Sequence, residues 1–331
     1  MNIAIISDFN IAGQPTFLMR AINRYTDHEA RCIIAHDDQF HYDKDVLFYD
    51  GSKDPEPAFQ EAKEIVEWAD FFHFGRSPFN WPGVDFNKIL NPRNCVVKYY
   101  GSELRNNHKA LSEWHRKTGI AAITGTDFTI TGLLGFPSFY HLGSYFTAFG
   151  DMYLKDIPIS NLDTDRILVN AGSAGNPIKR YDLLIKTIEE LQNEGLPVNL
   201  DVSTRLTNDE YLKRKQEGQI TFTSLHGGWG ISGIESMFLG QVVLCCLDPF
   251  ILSLYPKNPT IIVDEKTLKD KIRIIIKNRE FLKHIGGKSR EFAIQNFRTR
   301  DIVKRYMYII DLIANKDNYL KGYSIPETIY R

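Results

Sequence analysis

The sequence predicts an α/β fold made of two halves, each a mostly parallel sheet with helices on both faces. Three observations carry that expectation. Strand-like and helix-like segments alternate almost from end to end, which is how βαβ units read. The alternation breaks between Phe136 and Asp165, an aromatic-rich stretch with Pro137, Pro158 and the polar run from Ser160 to Asp165. A chain of 331 residues also exceeds one compact core and suits two domains of roughly 150 residues each. The linker is expected near residues 155–165.

The elements follow in order. Ile3–Ser7 is a β-branched run that reads as a first strand, and Pro15 opens a helix that reaches Tyr25. Ala30–Ala35 is a strand. Glu61–Trp68 is helical, with Ile65 and Trp68 on one face, and Phe71–Phe74 and Val96–Tyr100 are strands. Asn107–Lys117 is a helix and Ala121–Thr124 a strand. Beyond the break, strand Arg166–Asn170 leads to a helix that runs to Glu194 and stops at Gly195. Strand Val198–Val202 follows, then strand-like residues around Ile220–Phe222, a glycine-rich segment and the buried-strand pattern Val242-Val243-Leu244. Helices over Leu268–Asn278, Arg279–Ile285 and Thr299–Ala314 close the chain. There is no repeat of the 20–50-residue kind and no low-complexity segment.

Composition bounds the class. Hydrophobic content of 43% and charged content of 24% are ordinary for a soluble globular protein. No apolar run is long enough to span a membrane. The N-terminus lacks a basic region and meets an acid at Asp8, so it reads as a strand and not as a signal peptide. Cys32, Cys95, Cys245 and Cys246 sit in apolar strand-like runs without metal or disulfide spacing, the pattern of buried thiols in a reducing cytoplasm. Net charge is −1, with 14 basic and 18 acidic residues over 1–150 and 26 and 23 over the rest. That is not the basic footprint of a protein held on nucleic acid chiefly through phosphates, although it leaves room for a local basic groove.

Two loops carry chemistry. In His226-Gly-Gly-Trp-Gly-Ile-Ser-Gly-Ile-Glu235, the glycines at 227, 228, 230 and 233 lead into a short apolar helix with one carboxylate. Glycines allow close backbone approach to a ligand, free N–H groups at a helix start attract anions, and a carboxylate one turn in accepts hydrogen bonds from a vicinal diol. Phosphate with ribose means nucleotide. The plainer reading is that Ser232 and Glu235 form a capping box. The second loop, Asn170-Ala-Gly-Ser-Ala-Gly-Asn-Pro-Ile-Lys-Arg180, also joins a strand to a helix. Lys179 there opposes the helix dipole unless an anion such as a diphosphate lies between them. Otherwise it is a solvated surface lysine.

This layout, with Pro177-x-Lys179, Asp182, an amphipathic helix, then Gly-x-Gly-x-x-x-x-Glu235, Met237 and Gly240, resembles the donor half of GT-B glycosyltransferases. The nearest group is the retaining, glycogen-synthase-like family 4. The resemblance covers residues 165–315 well and the first half in architecture, including the small-residue loop Asn10-Ile-Ala-Gly13. It implies two Rossmann-like domains whose parallel sheets face across a cleft: an acceptor domain over 1–160, a nucleotide-sugar donor domain over 161–298, and a tail over 299–331 whose helix crosses back to brace the first domain. It implies that Lys179 holds the donor diphosphate and Glu235 the ribose, that the Gly227–Gly230 loop passes close to the transferred sugar and phosphates, and that Ser173, Gly228, Ile231 and Ser232, the last at the helix start, also bind the donor. Gly13 would leave room for the donor. Two positions depart from the family pattern. Gly227 stands where a second glutamate is common and Ser173 where an arginine is common, so Arg180 or His226 would supply the second phosphate contact.

In the first half, Tyr100-Gly-Ser-Glu-Leu-Arg105 matches a family element that puts Ser102, Glu103 and Arg105 on the acceptor side, with Arg105 a third catalytic candidate beside Lys179 and Glu235. A helix cap at Ser102 and a local ion pair between Glu103 and Arg105 are the structural alternatives. His73 and Arg76, and Thr126 and Asp127, end strands on the same side. The basic-aromatic stretch over 105–117, including His108, Lys109, Trp114, His115 and Arg116, reads first as a solvated helix face and second as an acceptor surface. Gly286-Gly-Lys-Ser289 follows a helix and lacks the upstream glycine of a P-loop. His36-Asp-Asp-x-x-His41 reads as a solvated loop, not a metal site. No Gly-x-Gly-x-x-Gly follows the first strand, which argues against an NAD enzyme.

The expectation is therefore a metal-independent, retaining, cytoplasmic glycosyltransferase without a cofactor. It would use a nucleotide sugar, UDP-linked by resemblance, as co-substrate. Its acceptor would be a glycan or a lipid-linked sugar, with peripheral membrane contact compatible with the latter. The alternatives are a hydroxymethylated base in DNA, a sugar-nucleotide epimerase, or a nucleotide-sugar-binding protein without catalysis.

Overall fold

The computed structural model of the chain describes residues 1–10, 13–36, 44–49, 56–76, 89–99, 101–124, 138–140, 158–171, 179–202, 206–225 and 228–315. The chain divides into two compact units, one of Met1–Ala148 with Thr299–Arg331 and the other of Phe149–Arg298.

In the first unit the described elements are β1 (Asn2–Phe9), α1 (Gln14–Tyr25), β2 (Glu29–His36), β3 (Val46–Tyr49), α2 (Glu56–Trp68), β4 (Phe71–Gly75), β5 (Cys95–Tyr99), α3 (Gly101–Thr118), β6 (Ala121–Thr124) and β7 (Ser138–Tyr140). All seven strands are parallel, in the order β3-β2-β1-β4-β5-β6-β7. The β-branched runs suit burial on both sheet faces. Ile6, Ile33, Phe74, Val97 and Ala122 form one core with Ile65 and Val66 of α2.

The second unit holds β8 (Ile167–Ala171), α4 (Tyr181–Asn193), β9 (Val198–Val202), α5 (Asn208–Gln216), β10 (Ile220–Ser224), α6 (Gly230–Phe238), β11 (Val242–Cys245), α7 (Pro249–Leu254), β12 (Ile261–Ile262), α8 (Leu268–Lys277) and α9 (Arg279–Asn296). Its five strands are also parallel, in the order β12-β11-β10-β8-β9. Leu184, Ile188 and Leu191 of α4 and Ile272 and Ile275 of α8 share one buried cluster with the strands. The final helix, α10 (Thr299–Ala314), belongs to the first unit, where Tyr306 meets His73 of β4 across 2.8 Å. Among the described residues, no helix is long and apolar enough to cross a membrane.

The structure corrects several local expectations. The helix expected over Arg279–Ile285 continues to Asn296. Gly286, within it, is a packing glycine: a Cβ there would lie 2.3 Å from the Gly240 carbonyl oxygen and 2.5 Å from Leu162. The basic-aromatic helix is only partly a solvated face. Its Trp114 packs against the core, and His115 is fully buried between the Tyr99 hydroxyl at 2.7 Å and the Ile120 carbonyl at 2.7 Å. Burial lowers the His115 pKa to about 4, which keeps the ring neutral. Three of the four cysteines are buried, whereas Cys246 is half-buried, and all four are free thiols.

A cationic site at the strand-order reversal of the second sheet

In open parallel sheets ligands collect beyond the carboxyl ends of the strands, where the chain order reverses. In the second sheet that reversal lies between β8 and β10: β8 leads outward to β9 on one side, and β10 to β11 and β12 on the other. Lys179 follows β8 and precedes α4, and Glu235 lies on α6, which follows β10. The two strands are direct neighbours, with Val169 opposite Ile220 and Ala171 opposite Phe222.

Helix α6 begins at Gly230, earlier than the capping-box reading puts it. Its N-cap is Trp229, without a side-chain cap, so Ser232 sits inside the first turn. Trp229 itself is 1% exposed. It packs edge-on against Tyr255, Phe292 and Phe297 at centroid distances of 5.5–5.9 Å, and its indole N–H donates to Thr260 Oγ1 at 2.7 Å. This anchor fixes where α6 starts. The glycines around it do different things. Gly230 adopts φ 60, a left-handed conformation that a side chain resists. Gly233 lets α6 approach β10, since a Cβ would lie 3.0 Å from Thr223 Cγ2 and from Trp229 Cβ. Gly228 has space, its Cβ position being 3.6 Å from Ile251.

The helix presents Glu235 to a partner that sequence reasoning missed. Lys215, at the end of α5, is buried, and its Nζ lies 2.7 Å from Glu235 Oε2, 2.9 Å from Ser232 Oγ and 2.5 Å from the Ser232 carbonyl oxygen. The Tyr211 hydroxyl, one turn earlier, meets Ser232 Oγ at 2.9 Å. Lys215 sits in the run Lys213-Arg214-Lys215, which looks solvated in the sequence. The available signal was its spacing of three residues from Leu212, which is fully buried.

Beneath the pair runs a polar network. The Lys215 carbonyl accepts from Asn170 Nδ2 at 2.7 Å and from Gln241 Nε2 at 2.6 Å. Gln241 also reaches Ser160 Oγ and the Gly218 carbonyl, and it accepts from Thr221 Oγ1, which in turn accepts from Ser236 Oγ. Buried polar groups bonded in this way define one geometry, although Asn170 Oδ1 is left without a partner among the described residues.

Lys179 is half-buried and stands 5.9 Å from the Tyr181 ring centroid. Among the described residues its ammonium makes no hydrogen bond and no ion pair. Burial, and then repulsion from Lys215, hold its pKa below the ordinary lysine value. Glu235 Oε1 likewise accepts no hydrogen bond from the described residues. The arrangement therefore carries two cations against one carboxylate, which suits an anionic ligand.

The other expected residues fall out as follows. Arg180, in a left-handed conformation with φ 57, pairs with Asp182 and Glu265 and so is not turned to a phosphate with Lys179. Ile231 and Ser232 are in the first turn of α6. Ser173, His226 and Gly227 lie outside the described residues, as do Thr126 and Asp127. Ser102, Glu103 and Arg105 belong to the first turns of α3, and their side chains are outside what is described. Gly13 takes φ 68 and starts α1, its N–H donating to the Asn10 carbonyl at 2.9 Å. His73 is a correction: it is 1% exposed and bonded to Tyr306 under α10, a core position and not an acceptor surface. Arg76 ends β4 with φ 79, its guanidinium 2.9 Å from Asp8 and 6.0 Å from the Phe9 ring centroid. A cavity of about 740 Å³ beside β9, lined by Leu168, Ile188, Asp201 and Arg214 among others, contains neither Lys179 nor Glu235. Its Asp201 and Arg214 neutralise one another at 2.6 Å.

No protein-family model and no curated protein sequence matches the chain. Among solved structures it is similar to an alpha-glucosyltransferase in complex with UDP and a 13-mer DNA containing an HMU base, with TM-score 0.65 and 12% identity over 94% of this chain and 99% of that one. It is also similar to Anabaena HepE in complex with UDP-glucose, with TM-score 0.60 and 12% identity over 94% and 99%. A third similar structure is sucrose-phosphate synthase from Thermosynechococcus elongatus, with TM-score 0.58 and 13% identity over 96% and 100%. At these identities the likeness is one of fold: the chain has the mixed α/β, two-sheet architecture of GT-B proteins.

Proposed function

We propose that this protein is a glycosyltransferase that moves a sugar from a nucleotide sugar to an acceptor hydroxyl. One observation carries the reading. At the strand-order reversal of the second sheet, a half-buried lysine lies in the field of a Lys215–Glu235 pair, and among the described residues neither that lysine's ammonium nor Glu235 Oε1 has a partner. Lys179 and the start of α4 suit the diphosphate, and the Glu235 carboxylate suits a ribose diol. Similar structures solved with UDP and with UDP-glucose support the same chemistry.

The chemical task is to stabilise a departing diphosphate while positive charge builds on the sugar ring. A cation preorganised at the leaving group lowers that barrier without reorganising during the reaction. Lys179, without an ion pair among the described residues, does this in place of a divalent ion. Retention of anomeric configuration belongs to the same proposal, as does a reducing, cytoplasmic setting that suits the free thiols.

The acceptor is a hydroxyl of a glycan or a lipid-linked sugar. A second reading, a hydroxymethylated base in DNA, is favoured by the exposed Lys109, Arg116 and Lys117 on α3 and by the similar glucosyltransferase solved on DNA. The net charge of −1 weighs against it. Duplex binding that falls steeply with salt supports the DNA reading, and binding without that slope removes it.

The test is to incubate the protein with UDP-, ADP- and GDP-linked sugars and follow nucleotide release by chromatography. Slow release from one donor, abolished in Lys179→Ala and Glu235→Ala, is the expected result. If no donor binds or turns over, the glycosyltransferase reading is wrong.

A further inference from the structure

A buried lysine needs a reason. Desolvating an ammonium costs several kcal/mol, and an apolar residue of similar size often packs as well or better. Lys215 is nonetheless 1% exposed at the centre of the second unit. An ammonium has three N–H donors. Those of Lys215 face the Ser232 carbonyl, Ser232 Oγ and Glu235 Oε2, at 2.5, 2.9 and 2.7 Å. The group is saturated by α6, so it has no donor left for a ligand.

Its position is equally determined. The Lys215 carbonyl is held by Asn170 of β8 and by Gln241 at the start of β11. At Gly218, just beyond the helix, a Cβ would fall 2.0 Å from Asn170 Nδ2, so the turn is pressed onto β8. Tyr211 contributes its hydroxyl to Ser232, and its ring centroid lies 5.2 Å from the ammonium. Lys215 is therefore a rigid post, and what it holds is the carboxylate of Glu235. One oxygen, Oε2, is bound, while Oε1 accepts no hydrogen bond from the described residues. Without the post, Glu235 would be free to change rotamer, and a bidentate grip on a diol depends on angle as much as on distance.

We infer that Lys215 is a positioning residue: it fixes Glu235 with one oxygen presented to the ligand, and so makes the site selective for a nucleotide with a ribose 2′,3′-diol over its 2′-deoxy counterpart. This rests on the donor-site reading given above and adds the residue that sets sugar selectivity on the nucleotide side. A role in bulk stability alone would change how much protein is folded. It would not change the ratio between two ligands that differ by one hydroxyl.

The experiment measures that ratio by calorimetry with UDP and 2′-deoxy-UDP, and in parallel with ADP, GDP and their 2′-deoxy forms. Wild-type protein is expected to prefer the ribonucleotide by tenfold or more. In Lys215→Met the ratio falls to within twofold, through weaker ribonucleotide binding with little change for the deoxy form. In Lys179→Met both ligands weaken by the same factor and the ratio stays. Should Lys215→Met not fold, Lys215→Ala, which likewise removes every donor to Glu235, carries the same measurement. A folded Lys215 variant with wild-type selectivity overturns the inference, and so does wild-type protein that binds UDP and 2′-deoxy-UDP equally. Failure of wild type to bind any nucleotide instead removes the donor-site reading beneath it.

Discussion

Both sheets reverse their strand order once, and the two reversal points handle charge in opposite ways. In the first unit the reversal lies between β1 and β4. Asp8 and Arg76 meet there at 2.9 Å with a quarter to a third of each side chain exposed, beside Phe9 stacked on His36 at 5.1 Å. In the second unit the carboxylate is taken by a lysine with no exposed side chain, and a second lysine stands nearby without an ion pair among the described residues. A part-buried pair such as Asp8–Arg76 still touches solvent and costs less to break than a fully buried one. A half-buried cation without a counter-charge is a liability to the fold. The lesson is that equivalent topological positions need not be equivalent sites. The second is short of negative charge among the described residues.

The largest test of this contrast breaks each pair in turn. Lys215→Met leaves the Glu235 carboxylate buried and alone, so it should cost about 3–5 kcal/mol in urea unfolding. Arg76→Met, at a part-buried pair, should cost markedly less. Equal losses would end the contrast.

Next comes Lys179→Met. It should weaken UDP binding by about 10–100-fold, the usual worth of a charge-assisted hydrogen bond. The thermal midpoint should hold or rise. The sign follows from linkage: a lysine whose folded pKa is depressed favours the neutral form on folding, so its charged form detracts from stability below that pKa. Wild-type affinity for UDP should also fall as pH rises through the lowered Lys179 pKa, earlier than an ordinary lysine would dictate, and Lys179→Met should flatten that limb. A Lys179→Met protein that is less stable and binds UDP normally would contradict both statements.

Smaller effects sharpen the second site from within. Gly233→Ala should cost about 1–3 kcal/mol through overpacking, because its Cβ would meet Thr223 and Trp229 at 3.0 Å. Gly228→Ala should change stability by less than about 0.5 kcal/mol, given ordinary contact with Ile251 at 3.6 Å. If Gly228→Ala nevertheless weakens UDP binding, Gly228 owes its identity to the ligand and Gly233 to packing.

Much of this was legible in one dimension. Alternating strand and helix patterns foretold two parallel sheets, and the observed strands Ala121–Thr124 and Val198–Val202 have the bounds read from the sequence. The strands β3, β7 and β12 were missed because two to four residues carry little periodicity, and the nine-residue α5 because it is almost wholly polar. Lys179 and Glu235 stood out because a lysine before a helix and a lone acid on an apolar helix break local rules, and broken local rules point to sites. Ser232 misled for the same reason in reverse. It satisfies the capping-box pattern, but the buried Trp229 caps the helix three residues sooner and leaves Ser232 to Lys215.

The sequence by itself determined the two-sheet α/β class, the order of the main elements, and where along the chain a cation and a carboxylate break the local pattern. Only the tertiary structure decided their partners. Lys215 is one of three consecutive basic residues in the sequence until the fold brings it to Glu235, 20 residues away, and Asp8 and Arg76 meet across 68 residues. Periodicity reports which face of an element is buried. Whether a charge on that face is satisfied, and therefore whether it is scaffold or site, depends on contacts that close long loops, and no local pattern encodes those.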